Sequence, residues 1–210
     1  MMDKDGLLFV FPPLGISVAL FFVYSRTGNP VSFGIAILSF LIALFMIFFF
    51  RDPKREIPYG HHLIVSPADG RVLKIENEVS GRKALSIFLS PLNVHINRVP
   101  VSGEVVDIRK RSGLYLAAYK PEAESKNVAI ETDILTSFGM VTVRQVVGVL
   151  ARRLVNRLQV GSKVISGQRF GMMRFGSRLD LLLPSSAELE ITKGQNVKGG
   201  STIIGRFKDA

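Results

Sequence analysis

The sequence predicts a mostly β protein, in which a soluble β-sandwich or barrel-like domain follows an N-terminal transmembrane helical hairpin. Two long uncharged apolar runs lie near the N-terminus. Short β-branched runs separated by Gly, Pro and Asn fill the rest of the chain, which is typical of short strands joined by turns. The 210 residues suffice for one domain of ordinary size and an appendage. We therefore expect a membrane anchor over residues 1–56 and a β domain over residues 57–210.

The anchor is predicted from two uncharged stretches, residues 6–24 and 31–50. A helix that crosses a bilayer needs about 20 apolar residues, and both stretches meet that length. The intervening SRTGNP contains Gly, Asn and Pro and is typical of a tight turn. Pro12 and Pro13 weaken the first stretch as a regular helix, so a kinked or re-entrant segment is the alternative there.

The flanking charges predict how the hairpin is oriented. Both ends of a hairpin lie on the same side of the membrane, and the second stretch is followed by Arg51, Lys54 and Arg55. The connecting loop carries only Arg26. Because basic residues favour the cytoplasmic side, we expect a cell-membrane protein with residues 51–210 in the cytoplasm.

The β domain is expected to contain about seven or eight short strands, since each apolar run is bounded by turn residues. The segment 154–160, LVNRLQV, fits either a single helical turn or a strand. The runs are HLIVSPADGRVLKIENE, KALSIFLS, NVHINRVPVSGEVVDIRK, NVAIETDIL, GMVTVRQVVGVLA, RLDLLLP, AELEITKG and STIIGRF.

Composition narrows the function classes. The chain has no cysteine, which excludes disulfides, thiolate metal sites and a cysteine nucleophile. Its formal net charge is +10, and no acidic residue lies between Asp133 and Asp180. Such a basic stretch suits anionic phosphates, and a membrane tether favours lipid headgroups over nucleic acid. Its eight cations are Arg144, Arg152, Arg153, Arg157, Lys163, Arg169, Arg174 and Arg178.

Three residues are candidates for chemistry. Ser177 follows Gly176 in RFGSR, His95 lies in SPLNVHINRVP, and Asp69 lies in the turn SPADGRV. Ser, His and Asp together can activate a hydroxyl as a nucleophile. An ordinary turn aspartate, a structural histidine and a Gly-Ser turn explain the same residues one at a time, and spacing alone does not bring them together.

No metal site is predicted. His61 and His62 are adjacent, but a site with metal-ligand spacing needs a third ligand, and none lies cleanly nearby. We interpret them as a pair that makes local hydrogen bonds.

Three ordered blocks, SPADGRV, SPLNVHINRVPVSG and RFGSRLDLLLP, resemble the phosphatidylserine decarboxylase family. They are most similar to its short, membrane-anchored branch of archaea and many bacteria, and the resemblance covers residues 57 to about 207. Members are proenzymes that cut their own backbone at a Gly-Ser bond. The resemblance therefore implies cleavage between Gly176 and Ser177, into a β chain of residues 1–176 and an α chain of residues 177–210.

The same resemblance implies the activity and the cofactor. Ser177 becomes a pyruvoyl group, which forms a Schiff base with the amine of phosphatidylserine, or of its archaeal ether analogue, and yields the ethanolamine lipid. The implied catalytic residues are Ser177, His95 and Asp69, with Asp69 orienting the imidazole. The implied partners are the phospholipid in its membrane and the two chains as a heterodimer. No nucleic acid is implied, and a higher oligomer is left open.

Three positions depart from the pattern of larger members. Arg178 stands where they have Thr, Arg98 where they have a second histidine, and Asn93 where they often have an aspartate. The identity of the processing base is therefore open. His95 could serve both self-cleavage and decarboxylation.

Two other function classes compete with this one. SPADGRV, VSGEVV and VKGGSTIIG also resemble turns of biotinyl- and lipoyl-like domains, which would make the chain a membrane-tethered carrier or adaptor. Lys74 and Lys198 are poor candidates for a carrier lysine. A nucleic-acid binder would interleave aromatic residues with the basic stretch, where only Phe170 and Phe175 occur.

Overall fold

The computed structural model describes residues 3, 6–77, 81–149, 153–174 and 176–208. The chain divides into two compact units, residues 1–54 and residues 55–210. The observed division lies two residues before the predicted boundary.

The first unit is a pair of helices, α1 (Leu7–Thr27) and α2 (Pro30–Phe49). Two residues, Gly28 and Asn29, turn the chain between them. Gly28 ends α1 with φ +67°, a left-handed conformation that glycine adopts without a Cβ penalty. The side chain of Asn29 caps α2 by accepting a hydrogen bond from a backbone N–H two residues on, and Pro30 opens the helix where its missing N–H costs nothing.

Helix α1 continues through Pro12 and Pro13 over 21 residues. At 1.5 Å per residue this helix is about 30 Å long, the thickness of a bilayer's hydrocarbon core. The two prolines therefore do not interrupt the first helix, which is long enough to cross a membrane.

The two helices meet along small side chains. The buried positions of α2 include Ser32, Ala36, Ser39 and Ala43, which repeat along one face, and Ser17 of α1 donates a hydrogen bond to the carbonyl of Ala36 at 2.9 Å. Small residues let helix backbones approach closely, as in membrane helix pairs, where lipid offers no hydrophobic drive between helices. Most of the large apolar side chains of both helices are exposed, and both helices are long and apolar enough to cross a membrane.

The second unit is mostly β, as predicted, with fourteen strands and one short helix, α3, among the described residues. The strands are β1 (Leu63–Val65), β2 (Gly70–Asn77), β3 (Lys83–Leu89), β4 (Ile96–Arg98), β5 (Gly103–Arg111), β6 (Ala129–Thr136), β7 (Gly139–Val146), β8 (Leu154–Asn156), β9 (Lys163–Val164), β10 (Arg169–Met173), β11 (Ser177–Leu183), β12 (Ala187–Leu189), β13 (Asn196–Val197) and β14 (Ile203–Phe207); α3 is Ala123–Lys126.

The strands outnumber the prediction because several apolar runs are divided. The run that contains His95 splits into β4 and β5 around Pro100, whose ring removes a donor from the ladder. The ambiguous segment 154–160 begins as strand β8 and continues as a loop.

The strands form one large sheet and two small ones. The large sheet has the order β13-β2-β3-β11-β7-β6-β5-β9, and the small sheets have the orders β1-β14-β12 and β4-β10-β8. Every pairing between these strands is antiparallel. Buried residues from all three sheets make up a single hydrophobic core, so the sheets close on one another as a sandwich or barrel would.

Strand β11 runs through the middle of the large sheet, between β3 and β7. All seven of its residues are buried. Side chains alternate along a strand, so Leu179, Leu181 and Leu183 share the face that enters the hydrophobic core. Ser177, at the start of the strand, has the same parity and lies on that face.

The opposite face of the sheet carries two of the eight cations of the basic stretch, Arg144 and Arg178. Arg144 Nε donates to Glu131 at 2.7 Å, and Arg178 Nη2 donates to Glu124 at 2.7 Å. These two cations therefore belong to ion pairs, because the fold brings them carboxylates from outside the basic stretch. Arg152 lies outside the described residues.

Candidate active site

The Gly176–Ser177 peptide bond joins two sheets. Residues 174–176 connect β10 of a small sheet to β11 of the large one, and Phe175 within that connection lies outside the described residues. Gly176 has φ +66°, and nothing lies within 4 Å of where its Cβ would be. Glycine is therefore required here for its backbone conformation, and not for lack of space.

Ser177 is the first residue of β11 and is completely buried. Its backbone is in register with Leu89 of β3. Its Oγ has no hydrogen-bond partner among the described residues. A buried hydroxyl without a partner costs free energy, so such groups call for an explanation and are enriched at functional sites.

His95 is only 1 % exposed and lies just before β4. Its Nδ1 lies 2.9 Å from the carbonyl oxygen of Asn93. A carbonyl can only accept a hydrogen bond, so Nδ1 carries the proton, and in the neutral ring the lone pair is on Nε2. The ring therefore has the tautomer that a general base needs.

The chain contacts the segment that carries His95 on both sides of the Gly176–Ser177 bond. Strand β3 ends opposite Ser177, at Leu89, and leads into the loop that reaches His95. Before the bond, the N–H of Met173 donates to the carbonyl of His95 at 3.2 Å. The fold thus brings the chain around Ser177 and the segment around His95 into the same region, although the two residues are more than eighty positions apart in the sequence.

Asn93 organises the loop between β3 and His95. Its Oδ1 accepts hydrogen bonds from the N–H and from the hydroxyl of Ser90, each at 2.9 Å. Its N–H donates to the carbonyl of Ser90 at 3.0 Å, and its own carbonyl holds the imidazole. An amide oxygen does here what an aspartate oxygen could also do, which explains how the loop accommodates Asn at this position.

Asp69 is engaged elsewhere. Its two oxygens accept hydrogen bonds from Arg55 Nη2 at 3.0 and 2.7 Å, and Oδ1 also accepts from the N–H of Gly199 at 2.8 Å. His95 uses Nδ1 for Asn93. The structure therefore does not join Asp69 to His95 through that nitrogen. Asp69 instead links the SPADGRV turn to the turn at Gly199.

Arg98 occupies the place of the second histidine of larger members. It is buried, and its Nη1 donates to the carbonyl of Gly167 at 2.9 Å. A guanidinium keeps its proton at any ordinary pH, so this residue is not a base. The other two histidines, His61 and His62, pack edge-on with ring centroids 5.8 Å apart. Within the described ranges, no group of three His, Asp or Glu side chains is arranged to hold a metal ion.

Arg178 follows the serine but lies on the other face of β11. It is 2 % exposed and donates to Asp180, to Ser86 Oγ at 2.8 Å and to Glu124. Burial alone would raise the pKa of Glu124, but the charges of Arg178 and Lys74 outweigh it and hold that pKa below its usual value. Arg178 therefore anchors the start of β11, and its charge is directed away from the serine hydroxyl.

One residue that was not predicted, Gly148, approaches the Gly176–Ser177 bond, and a second, Asn127, holds the backbone beside Gly148. A Cβ on Gly148, just after β7, would lie 1.9 Å from the carbonyl oxygen of Gly176. Asn127 is fully buried and donates to the carbonyl of Val147 at 2.9 Å. The position of Gly148, directly after the strand-like run VRQVV, was only a weak indication of a role for this glycine. Nothing in the sequence around Asn127 indicated a role for that residue.

Known proteins match this chain over most of its length. The sequence profile of the phosphatidylserine decarboxylase family matches residues 42–205. The phosphatidylserine decarboxylase proenzyme of Pelodictyon phaeoclathratiforme is 44 % identical over 172 residues, which cover 80 % of this chain and 81 % of that protein. The proenzyme of Prosthecochloris aestuarii is 38 % identical over 99 % of this chain and 98 % of its own length. That of Ehrlichia chaffeensis is 37 % identical over 100 % and 92 %.

These matches confirm the resemblance drawn from the three sequence blocks and favour it over the carrier and nucleic-acid alternatives. The matched region includes Asp69, His95 and the Gly176–Ser177 bond. Together, the extent of the match and the identity to these proenzymes establish that the chain belongs to the phosphatidylserine decarboxylase family.

Proposed function

We propose that the chain decarboxylates phosphatidylserine to phosphatidylethanolamine, using a pyruvoyl group made from Ser177 when the Gly176–Ser177 bond is cut. The observation that carries the proposal is the buried Ser177 hydroxyl, which has no partner among the described residues and follows a left-handed glycine in the matched region. The names of the relatives favour phosphatidylserine over its ether-lipid analogue, and the word proenzyme in those names supports the cut.

Self-cleavage uses only groups of this chain and one water. Ser177 Oγ attacks the carbonyl carbon of Gly176, the C–N bond breaks, and the nitrogen takes a proton, so the amide becomes an ester. Loss of the α-proton of residue 177 then breaks the Cβ–O bond, and Gly176 leaves as a carboxylate that keeps the former serine oxygen. The dehydroalanine that remains tautomerises, and water releases ammonia to leave the pyruvoyl group.

His95 is the proposed base for this sequence. A neutral serine hydroxyl is a poor nucleophile, and a positioned base makes it effective. The hydrogen bond from Nδ1 to Asn93 leaves Nε2 able to take a proton. We assign the orienting role to the Asn93 carbonyl. Asp69 supports the site from a distance, by holding Arg55 and the Gly199 turn.

Position 177 suits a pyruvoyl group, because the serine there is fully buried and shielded from bulk solvent. When formed, that group supplies a carbonyl that takes the substrate amine and withdraws electrons from the carbon that loses carbon dioxide. Burial by the surrounding strands keeps competing water from that carbonyl.

The strand pairings support a heterodimer that persists after the cut. Residues 177–210 would form the α chain, whose β11 is paired with β3 and β7, β13 with β2, and β14 with β1. Each of those partner strands belongs to residues 1–176. The two products are therefore held by several backbone ladders and a shared core.

We also propose that α1 and α2 anchor the enzyme in the cell membrane with the β domain on the cytoplasmic side. Support comes from the length and apolar surface of both helices. The excess of basic residues at 51–55 over the loop at 25–30 sets the direction. An anchored enzyme meets its lipid substrate at a high effective concentration.

Ser177→Ala tests the proposed function directly. Without the hydroxyl, no ester forms, so the variant should remain one uncut chain and release no carbon dioxide from phosphatidylserine vesicles. Denaturing electrophoresis and carbon dioxide release are the measurements. Ser185→Ala, at an exposed serine in the same segment, is the control and should cut and react like wild type. An uncut but fully active Ser177→Ala protein ends the proposal.

The roles of His95 and Asp69 are separated by three variants. His95→Ala should slow self-cleavage by at least about 100-fold, the typical contribution of a general base. Asp69→Ala and Arg55→Ala should each slow it less than His95→Ala, because each breaks the same ion pair. The effect of Asp69→Ala should be the larger of the two, because this change also removes the acceptor of the Gly199 N–H. The time course of chain cutting is measured, with His61→Ala, at an exposed histidine, as the control. If Asp69→Ala matches His95→Ala while Arg55→Ala cuts normally, Asp69 acts on the imidazole itself.

Membrane orientation is testable because the chain has no cysteine. Single variants Thr27→Cys, in the exposed end of α1, and Lys193→Cys, at an exposed site in the β domain, report the two sides. An impermeant maleimide added to intact cells should label only Thr27→Cys, and should label Lys193→Cys after the cells are opened. Labelling of Lys193→Cys in intact cells would reverse the proposed orientation.

A further inference from the structure

Among the described residues, a Cβ built on Gly148 would lie closer to another backbone atom than a Cβ built on any other glycine. A Cβ built on it would lie 1.9 Å from the carbonyl oxygen of Gly176 and 3.1 Å from the carbonyl carbon. Ordinary van der Waals contact begins at about 3.4 Å, so no side chain fits there. The oxygen that Gly148 contacts belongs to the peptide bond proposed to be cut.

The backbone at Gly148 is held firmly from one side. The N–H of Val147 donates to the carbonyl of Val128 at 3.1 Å, and the Val147 carbonyl accepts from Asn127 Nδ2 at 2.9 Å. The amide of Asn127 is itself fixed, because it accepts from the N–H of Leu116 at 3.0 Å and donates to the carbonyl of Leu116 at 2.8 Å. Every one of these bonds is buried or partly buried, so Gly148 has little freedom to retreat.

The Gly176 carbonyl is fixed from the other side. It precedes Ser177, whose strand is paired along its length with β3 and β7. Val146, two residues before Gly148, is in register with Arg178, two residues after Gly176. On its remaining side Gly148 is approached by Ala118, whose Cβ would lie 3.4 Å from a Cβ on the glycine. The contact between Gly148 and the carbonyl is therefore a fixed feature of the sheet.

We propose that Gly148, held in place by Asn127, is a positioning residue for self-cleavage. Its bare backbone forms a seat for the carbonyl oxygen of Gly176 and presents the carbonyl carbon to Ser177 Oγ. As the O–C bond forms, the electron pair of the C=O bond moves onto the seated oxygen. It returns when the C–N bond breaks and the nitrogen takes the proton that left the serine. The inference rests on the proposed function and adds the element that aligns its first step.

Gly148→Ala is the direct test. The new methyl group must displace the scissile carbonyl, and a misplacement of about 1 Å can cost roughly 100-fold in rate. We expect a folded protein that is cut at least about 100-fold more slowly than wild type, followed by denaturing electrophoresis. Hydroxylamine, which cleaves esters, should not release the fragments, because the block precedes the ester. Thermal unfolding checks the fold.

Gly205→Ala is the matched control. Its Cβ would lie 2.2 Å from the carbonyl oxygen of Glu188, a comparable clash in the β12–β14 ladder. It should lower the thermal midpoint yet leave cutting at the wild-type rate. Wild-type cutting by Gly148→Ala, slowing of both variants alike, or hydroxylamine release from Gly148→Ala would overturn the inference. Failure of wild type itself to cut would instead overturn the proposed function.

If Gly148→Ala does not fold, Asn127→Asp tests the same proposal. The change keeps the shape and the acceptor toward the Leu116 N–H, but the ionised carboxyl cannot donate to the Val147 carbonyl. Cutting should be slower than in wild type at neutral pH, because the Val147 carbonyl loses its donor. A wild-type rate for Asn127→Asp would contradict the role of the seat.

Discussion

The pairing of β11 between β3 and β7 is the constraint on which the site depends. A strand bonded on both edges cannot shift its register, so its first residue, Ser177, is held in one place with its hydroxyl buried. The chain can enter this strand from the neighbouring small sheet only through a sharp turn, which Gly176 supplies with its left-handed conformation. The bond proposed to be cut thus lies at the junction between a rigid strand and a turn that only glycine adopts cheaply.

The same strand explains how a cut chain would stay folded. One face of β11 contributes three leucines to the core, and the other contributes Arg178 and Asp180 to a buried cluster with Ser86 and Glu124. Neither set of contacts depends on the peptide bond before Ser177. A free end at residue 177 would therefore be held by apolar packing on one side and by charge-assisted hydrogen bonds on the other.

The sequence predicted what local patterns encode. Apolar length predicted both helices, and turn residues between β-branched runs predicted the mostly β domain. The motif resemblance predicted the family, and the cut at the Gly176–Ser177 bond stays a prediction. What escaped prediction depends on contacts between distant segments: the pairing of Asp69 with Arg55 and Gly199, the carboxylates that neutralise Arg144 and Arg178, and the approach of Gly148 to Gly176. The pattern of residues along one segment does not reveal which backbone atom of another segment a glycine faces across a sheet.

The central claim is that this fold converts Ser177 into a pyruvoyl group by cutting its own backbone. The most direct measurement is the intact mass of the purified wild-type protein under denaturing conditions. The account predicts two polypeptides, residues 1–176 ending in a free carboxylate and residues 177–210 lighter than the corresponding serine peptide by one ammonia. A single mass for residues 1–210, or a second fragment that begins with an unmodified serine, would contradict it.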